Sequence, residues 1–363
     1  MLLRLLSNME RRRFANYIVS LMDCSREPIW KAIERLGLPI RTLSLQPQLP
    51  NPFALPQLRE CIRAWDPDIV QGWEVHGNLA ACLSARRPFL LNVRGSLDDP
   101  HSEKRLTRAL IRSLGWLSHR AACVIYNSTA AARQHEAIGY RCAKSCVIPN
   151  GFDCAVFRPD PDARHGIRSE LEIPEQMFVV GQIARYHPVK DHETSLRAFA
   201  AFAARVPDAC MMLVGSGTGE DNTRLTVQIT KLGLCGRVRR LGQRTDIHRV
   251  SAALDVAVCS STAESFPNVI GEAMACGVPC IVTDVGDCSW IVGGHGYVVP
   301  SGDSQRMAEF LECVYRQPAG ERARLGAAAR QRIQSQFSLA EAVRRYERAY
   351  TECTEGTRDR ERE

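Results

Sequence analysis

No stretch of 18 consecutive apolar residues occurs in this chain, so no segment reads as a membrane-spanning helix. The opening MLLRLLSNMERRRF places its apolar run before its charges, the reverse of a secretory leader, and the expectation is a cytoplasmic protein. Close cysteine pairs are also missing. The nearest approaches, Cys142 with Cys146 and Cys276 with Cys280, are wider than a two-residue metal knuckle and have no His pair beside them, so no metal is expected. The 15 cysteines are scattered singly through apolar runs, as at Cys123, Cys210 and Cys259, and read as reduced, buried thiols rather than a disulfide framework. The strings DPD at 66–68 and 160–162 each bracket a proline at a helix end or linker, which is turn chemistry before it is an Asp-x-Asp metal site. A full dinucleotide fingerprint is absent too, because GSGTGE supplies Gly215 and Gly217 without the third glycine.

What remains is an ordinary globular composition, 45% hydrophobic over 363 residues, enough for about two domains. The net charge of +7 is uneven. Residues 1–168 carry 24 basic and 15 acidic groups (+9), and residues 169–363 carry 23 and 25 (−2). A first half that faces something anionic and an arginine-rich solvated surface both fit this asymmetry.

From Phe14 onward, short β-rich apolar runs alternate with helical patterns in a βαβ rhythm: ANYIVSLM, EPIWKAIERLG, PIRTLSL, a helix at 52–65, DIVQGW and GNLAACLSARR. PFLLNV, a helix at 104–119, ACVIYN, a helix at 128–138 and SCVIPN complete one doubly wound unit. The stretch 150–166, NGFDCAVFRPDPDARHG, has no periodicity and reads as a linker. A second unit follows with FVVGQIA, ACMMLVG, RVRRLG, DVAVCSS and PCIVTD as strands and helices at 191–205, 220–233, 245–253 and 268–276. The expected architecture is α/β, two tandem Rossmann-like domains at 1–158 and 159–335. A C-terminal helix at 336–353 is expected to pack across both domains, and 354–363 to be a disordered tail. The chain opens on an amphipathic helix, with Leu2, Leu5, Leu6 and Met9 at helical spacing, where such a sheet normally opens on a strand and glycine-rich turn. The first strand is therefore expected to be missing from the N-terminal sheet, and a start codon assigned too late would give the same sequence.

Ligands of open α/β sheets bind beyond the carboxyl ends of the strands, so the residues just after each run carry the chemistry. ARYHPVKD puts Arg185 and Lys190 in one loop, a pair suited to clamping a diphosphate as negative charge develops on it, although two surface cations read the same. In ESFPNVIGE, Pro267 and Asn268 start a helix whose free N–H groups favour an anion. Glu272, one turn in, can accept hydrogen bonds from paired hydroxyls such as those of a ribose, or pair with a core arginine. Glu264 on the loop before it can hold sugar hydroxyls. DIVQGWEVHGN sets His76 just past a strand, before Gly77 and a helix, and NVRGS offers Arg94 likewise; a structural role is the common alternative for both. No residue pair forms a covalent-catalysis dyad.

Taken together, ARYHPVKD, LVGSGTGE, RRLGQRTD and ESFPNVIGEAMACGVPCIVTDVG resemble the nucleotide-sugar-dependent retaining glycosyltransferases of family 4, which have the GT-B fold, two Rossmann-like domains facing a central cleft. The first half agrees through DIVQGWEVHGN, NVRGS, YNS and VIPNGFD. The resemblance implies that Arg185 and Lys190 clamp the donor diphosphate, Glu272 takes the ribose hydroxyls and Glu264 the transferred sugar. Backbone around Phe266, Pro267, Asn268 and Val269 would hold sugar and phosphate, Leu241, Gln243 and Arg244 would lie near the nucleobase, and Gly215 would let the chain pass close to the nucleotide. His76 would approach the donor sugar and Arg94 would stand on the acceptor side.

The implied activity is transfer of a sugar from a UDP- or GDP-sugar to a saccharide or lipid-linked acceptor in cell-surface polysaccharide, lipopolysaccharide or glycolipid synthesis. Retention in this family is explained by front-face attack assisted by a donor phosphate oxygen, with no protein nucleophile, no cofactor beyond the donor and no metal. Nucleic acid is not an expected partner. The helix at 104–119 carries Arg105, Arg108 and Arg112 on one stripe beside Leu106, Leu110 and Trp116, which suits peripheral contact with an anionic membrane at its inner face as well as an ordinary amphipathic surface. Two other functions stay open: a nucleotide-sugar-binding protein impaired by the missing strand, and a sugar-nucleotide epimerase on the same fold.

Overall fold

The structure is a computed structural model that describes residues 1–45, 53–85, 87–98 and 105–360. It divides into two compact units, Met1–Gly151 with Leu339–Glu363, and Phe152–Ser338. The division falls seven residues before the expected 158/159 boundary because Phe152 and Phe157 are buried in the core of the second unit. The Phe152 N–H donates to the Phe337 carbonyl at 2.8 Å.

In unit 1 the elements are α1 (Leu2–Asn8), β1 (Ile18–Ser20), α2 (Pro28–Glu34), β2 (Ile40–Thr42), α3 (Ala54–Trp65), β3 (Val70–Trp73), α4 (Glu74–Ser84), β4 (Phe89–Val93), α5 (Arg105–Leu117), β5 (Cys123–Tyr126), α6 (Thr129–Ala137) and β6 (Ser145–Val147). Strands β3, β4, β5 and β6 form a parallel sheet in that order, while β1 and β2 pair only with each other. Among the described residues no strand joins the two sheets. β4 shows why its run is continuously apolar. Phe89, Leu91 and Val93 enter one core with α4 and α5, Leu90 enters another beneath α1, and the strand is buried on both faces. By contrast all three residues of β1 are half-exposed.

Unit 2 contains α7 (Pro161–Glu170), β7 (Phe178–Ile183), α8 (His192–Ala203), β8 (Ala209–Val214), α9 (Thr223–Lys231), β9 (Val238–Gly242), α10 (Ile247–Ala252), β10 (Val256–Cys259), α11 (Asn268–Ala275), β11 (Cys280–Thr283), α12 (Cys288–Val292), β12 (Tyr297–Val299), α13 (Ser304–Arg316) and α14 (Ala319–Gln336). Its six strands are all parallel, in the order β12-β11-β10-β7-β8-β9. The chain winds outward from β7 to β9, then returns to β10 on the other side, with helices on both faces.

The expected linker is partly helix. Pro161 opens α7 at a position that needs no N–H, and the Asp160 carboxylate accepts from the Ala163 N–H at 2.9 Å. Arg168, on the same helix, is wholly buried. Its guanidinium donates to the carbonyls of Glu175 and Met177, both at 2.8 Å, and to Asp255 Oδ2 at 2.7 Å. Asp255 in turn accepts from the Val179 N–H at 2.7 Å and from Arg164 at 2.8 Å, locking α7 to the first residues of β7 and β10.

The last helix, α15 (Leu339–Arg360), returns to unit 1, where Val343, Tyr346, Tyr350 and Cys353 pack with Leu5, Leu90 and Ile125. The expected disordered tail is thus helical as far as Arg360, and 361–363 lie outside the described residues. Arg and Glu there are good helix formers once the preceding turns are anchored. Neither α12 nor β12 was expected: elements of five and three residues are too short to show a period. No helix among the described residues is long and apolar enough to cross a membrane.

Replacing Arg168 by Met takes the buried guanidinium from Asp255 and leaves several carbonyls inside the core without their donor, and should cost about 3 kcal/mol or more in urea unfolding. Arg164→Met, at the solvent edge of the same carboxylate, should cost under about 1 kcal/mol; equal losses would show that the buried pair does not anchor α7. A second prediction concerns His192, which is buried at the start of α8 with its ring 5.2 Å from that of Tyr186. Burial holds its imidazole down at about 4 against an ordinary 6.5, with the Ala184 backbone and Asp191 opposing. The unfolded chain therefore takes up the proton first, and the stabilisation is whole above pH 6.5 and lost between 6.5 and about 4. Between pH 7 and 4.5 the protein should lose about 2 kcal/mol more than a His192→Phe variant; parallel losses in the two proteins would rule the effect out.

Candidate functional site

Strands β7 and β10 lie side by side although more than 70 residues separate them, and the chain turns in opposite directions after each. A crevice opens at such a switch point, and the loops leaving Ile183 and Cys259 line it. Lys190 sits on the first loop and Glu264 on the second. The Lys190 ammonium donates to Glu264 Oε1, which also accepts from the Ser261 hydroxyl at 2.8 Å. The pair is only partly exposed, 23% for the lysine side chain and 11% for the carboxylate. Arg185 is exposed on the same loop and makes no ion pair with a described residue.

The Glu264 loop is braced from a third strand. Gly286, after β11, has φ +53, and a Cβ there would lie 2.1 Å from the Glu264 carbonyl oxygen. The Asp287 N–H donates to the Ser265 carbonyl at 3.1 Å, and the Thr283 hydroxyl to the Ser261 carbonyl at 2.6 Å. Ser261 and Gly286 were not among the expected site residues. The available signals were a serine three positions before the glutamate and a glycine three residues past the end of β11, both common in ordinary loops.

Helix α11 begins at Asn268, and its N-cap residue, Pro267, makes no side-chain cap. α7, α8, α9 and α13 are each capped by Asp or Asn, while the N-cap residues of α10, α12 and α14 make no side-chain cap either. An amino end whose N-cap residue is a proline suits an anion, and this one sits at the edge where Glu264 and Lys190 lie. Pro267 is buried, Val269 is half-buried and Asn268 is exposed. Phe266 is a core residue, its ring 6.1 Å from Phe152 and 5.8 Å from Phe337, so only its backbone is available to a ligand. Glu272 is buried, 8% exposed, beside Gly271, where a Cβ would strike the Phe152 ring. Burial pushes the nearby Cys276 thiol up to about 12, with Arg330 opposing and the Glu272 charge adding.

After β8 and β9 the geometry refines the expectations. Gly215, at φ +143, makes a close approach to protein: a Cβ would lie 2.3 Å from the Ala184 carbonyl oxygen and 2.8 Å from the Arg185 nitrogen. Its missing side chain therefore lets the loop that carries Arg185 pass. Leu241 packs against the core, and Gln243 is exposed. Arg244 donates to both carboxylate oxygens of Asp246 at 2.8 Å and also to Glu170. These bonds, Asp246 first, raise its guanidinium well above the ordinary value. It is a tie between α7 and the start of α10 and not a free cation.

Unit 1 holds His76 and Arg94. His76 is exposed in the first turn of α4, which starts at Glu74 directly off β3 and not after Gly77. Gly72 allows this, since a Cβ there would meet the Asn78 Cα at 2.5 Å. Arg94, just past β4, donates to Tyr346 at 3.2 Å and to Asn150, and stacks over the Trp73 ring at 5.1 Å. Among the described residues no three His, Cys, Asp or Glu side chains form a group able to hold a metal.

Residues 164–332 match the family model described as glycosyl transferases group 1, and residues 1–156 that of glycosyltransferase family 4. N-acetyl-alpha-D-glucosaminyl L-malate synthase of Bacillus anthracis is 32% identical over 186 residues, 51% of this chain and 48% of that protein. The lipopolysaccharide core biosynthesis glycosyltransferase LpsE of Rhizobium meliloti is 34% identical over 149 residues, 40% of this chain and 42% of that protein. The chain spans about half the length of the curated relatives it matches. Among solved structures, HepE of Anabaena in complex with UDP and glucose superposes with a TM-score of 0.80 at 25% identity, covering 96% of this chain and 94% of that one. Sucrose-phosphate synthase of Thermosynechococcus elongatus gives 0.72 at 19% identity, over 93% and 98%, a likeness of fold alone. With two Rossmann-like units of the GT-B type, the chain carries a group 1 glycosyl transferase domain over residues 164–332 and a glycosyltransferase family 4 domain over residues 1–156.

Proposed function

We propose that the protein is a retaining glycosyltransferase that moves a sugar from a UDP- or GDP-sugar to a saccharide or lipid-linked acceptor in polysaccharide, lipopolysaccharide or glycolipid synthesis. The observation that carries this is the pairing of Lys190 with Glu264 beside the proline-led amino end of α11 at the β7–β10 switch point. A nucleoside diphosphate leaving group gains negative charge as the sugar departs. Lys190, Arg185 and the N–H groups of α11 stabilise that charge where it develops, which lowers the barrier more than it tightens ground-state binding. Glu264 orients the ammonium and offers its remaining carboxylate oxygen to sugar hydroxyls. Glu272 takes the ribose hydroxyls. A donor phosphate oxygen accepts the acceptor's proton during front-face attack, so no protein nucleophile and no metal are needed. The UDP complexes of HepE and the lipopolysaccharide role named for LpsE support this assignment by similarity.

Purified protein should release UDP or GDP slowly from UDP-glucose or GDP-mannose. Lys190→Ala should lower turnover by about a hundredfold or more, and Glu272→Ala should raise the donor KM about tenfold or more. Binding of nucleotide sugars without turnover of any donor would leave a binding protein, and isomerised donor without transferred sugar would make it an epimerase.

For the acceptor's location we propose that α5 rests on an anionic lipid surface at the inner face of the membrane. Arg105, Arg108, Arg112 and Trp116 follow one another along its solvent face, α5 has no acidic residue, and Leu106 and Trp116 are 72% and 75% exposed. The protein should sediment with vesicles of phosphatidylcholine mixed with phosphatidylglycerol and not with phosphatidylcholine alone. Reversing Arg108 and Arg112 to Glu should weaken that binding by tenfold or more, at about 1 kcal/mol per basic group. Equal affinity for the two vesicles, or for wild type and variant, would sink the idea.

A further inference from the structure

Gln182 is the fifth residue of β7, a strand at the centre of the unit 2 sheet, and is 1% exposed. A methionine would fill the same space with no polar atom to satisfy, so the amide's partners decide what it does. Its nitrogen donates to the Lys190 carbonyl at 3.0 Å and to the Ser260 hydroxyl at 3.0 Å, and its oxygen accepts from the Ser195 hydroxyl. Ser260 lies 3.0 Å from the Lys190 carbonyl and 2.8 Å from that of Asp191, but its hydroxyl has one proton. The network closes in one arrangement: Ser195 donates to Gln182, Gln182 donates to Lys190 and to Ser260, and Ser260 donates to Asp191.

Both carbonyls belong to a turn that is unfavourable alone. Asp191 has φ +41, a left-handed conformation that costs a non-glycine residue free energy and persists only where its surroundings hold it. Its carboxylate holds one side, accepting from the Thr194 N–H at 3.1 Å and the Thr194 hydroxyl at 2.6 Å. The buried amide and Ser260 hold the other. Ser260 also belongs to the segment that leads to Glu264, and the next link between the loops is the Thr262 N–H donating to the Val189 carbonyl at 2.8 Å.

We infer that Gln182 is a positioning residue for Lys190: by fixing the 190–191 turn from below through Ser260 and the Lys190 carbonyl, it holds the ammonium against Glu264. This rests on the donor role proposed for Lys190 above. With the amide gone, the single Ser260 proton serves one carbonyl, the 190–191 peptide keeps only the bond of its N–H to the Pro188 carbonyl at 3.1 Å, and the ammonium shifts from its place. A displacement of about 1 Å is enough to be costly at such a site.

The test is a double-mutant cycle read as the dissociation constant for UDP or GDP, whichever the wild type binds more tightly, by calorimetry on protein whose folding is checked by urea unfolding. Gln182→Met should weaken binding about tenfold when Lys190 is present and less than about twofold in a Lys190→Ala background, because the lost interaction is already absent there. An equal factor in both backgrounds, or no loss in the first, would overturn the inference and leave Gln182 a structural core residue. Should Gln182→Met fail to fold, Ser260→Ala carries the same cycle with the same two outcomes. If the wild type binds neither nucleotide, or Lys190→Ala alone leaves binding unchanged, Lys190 has no donor role and the positioning role falls with it; a loss at Lys190 without coupling to Gln182 refutes the positioning role alone.

Discussion

Unit 2 is organised by the pairing of β7 with β10, two short parallel strands brought together from distant parts of the chain. Parallel strands end at a common edge, so every loop leaving the sheet there must find partners for its polar groups within a few ångströms of the next. At this edge the solution is an ion pair, Lys190 with Glu264, and a buried amide and hydroxyl beneath it. The opposite edge carries the mirror problem, with strand beginnings and helix ends in place of strand ends, and Arg168 with Asp255 answers it. A charged pair therefore stands at each end of β7 and β10. In one pair the cation, Arg168, is wholly buried and spends its donors on protein. The other stays partly open, which is the condition for an anion to reach it.

Burial decides what was legible in the sequence. β4, β5, β7, β8, β10 and β11 are nearly continuous apolar runs because both faces of each are covered, and their positions followed from composition alone. Once strands are placed, the rule that ligand groups follow their carboxyl ends picks out Arg185, Lys190, Glu264 and Glu272. What stayed hidden depends on distance along the chain or on brevity. Arg244 had a visible neighbour in Asp246, but its second partner, Glu170, is 74 residues away and ends a helix whose first six residues the sequence presented as linker. β12 and α12 are too short for any period. The separation of β1 and β2 from the larger sheet is a matter of pairing, to which side-chain pattern is blind; half-burial of β1 is its physical counterpart.

The loops also show why glycine was an ambiguous signal. Gly215 and Gly286 are both at positive φ after strands, the expected setting for close approach to a ligand. In the structure each approaches another loop: Gly215 the Ala184–Arg185 peptide, Gly286 the Glu264 carbonyl. Glycine at such a site brings the arms of the site together, so its effect on a ligand passes through the residues those arms carry.

The after-strand rule selects polar residues without telling a ligand contact from a brace, since both are needed where a sheet ends. The difference lies in how a side chain's donors are spent. Arg94 gives its guanidinium to Tyr346 and Asn150, with Asn92 at 3.4 Å, while Asn78 fixes the Asn92 backbone through bonds of 3.0 and 2.9 Å. It fastens α15 to the end of β4, and its planar fork suits that many-sided task. Arg244 is spent in the same way on two carboxylates. Lys190 has a compact ammonium with three donors and gives one to Glu264, which fixes its direction while leaving capacity for an anion. Arg185, exposed and without an ion pair among the described residues, keeps its whole fork. Ranked by the share of donors left unspent, the four cations fall in the order Arg185, Lys190, Arg94, Arg244, and the first two are carried by the loop that leaves β7 at the switch point.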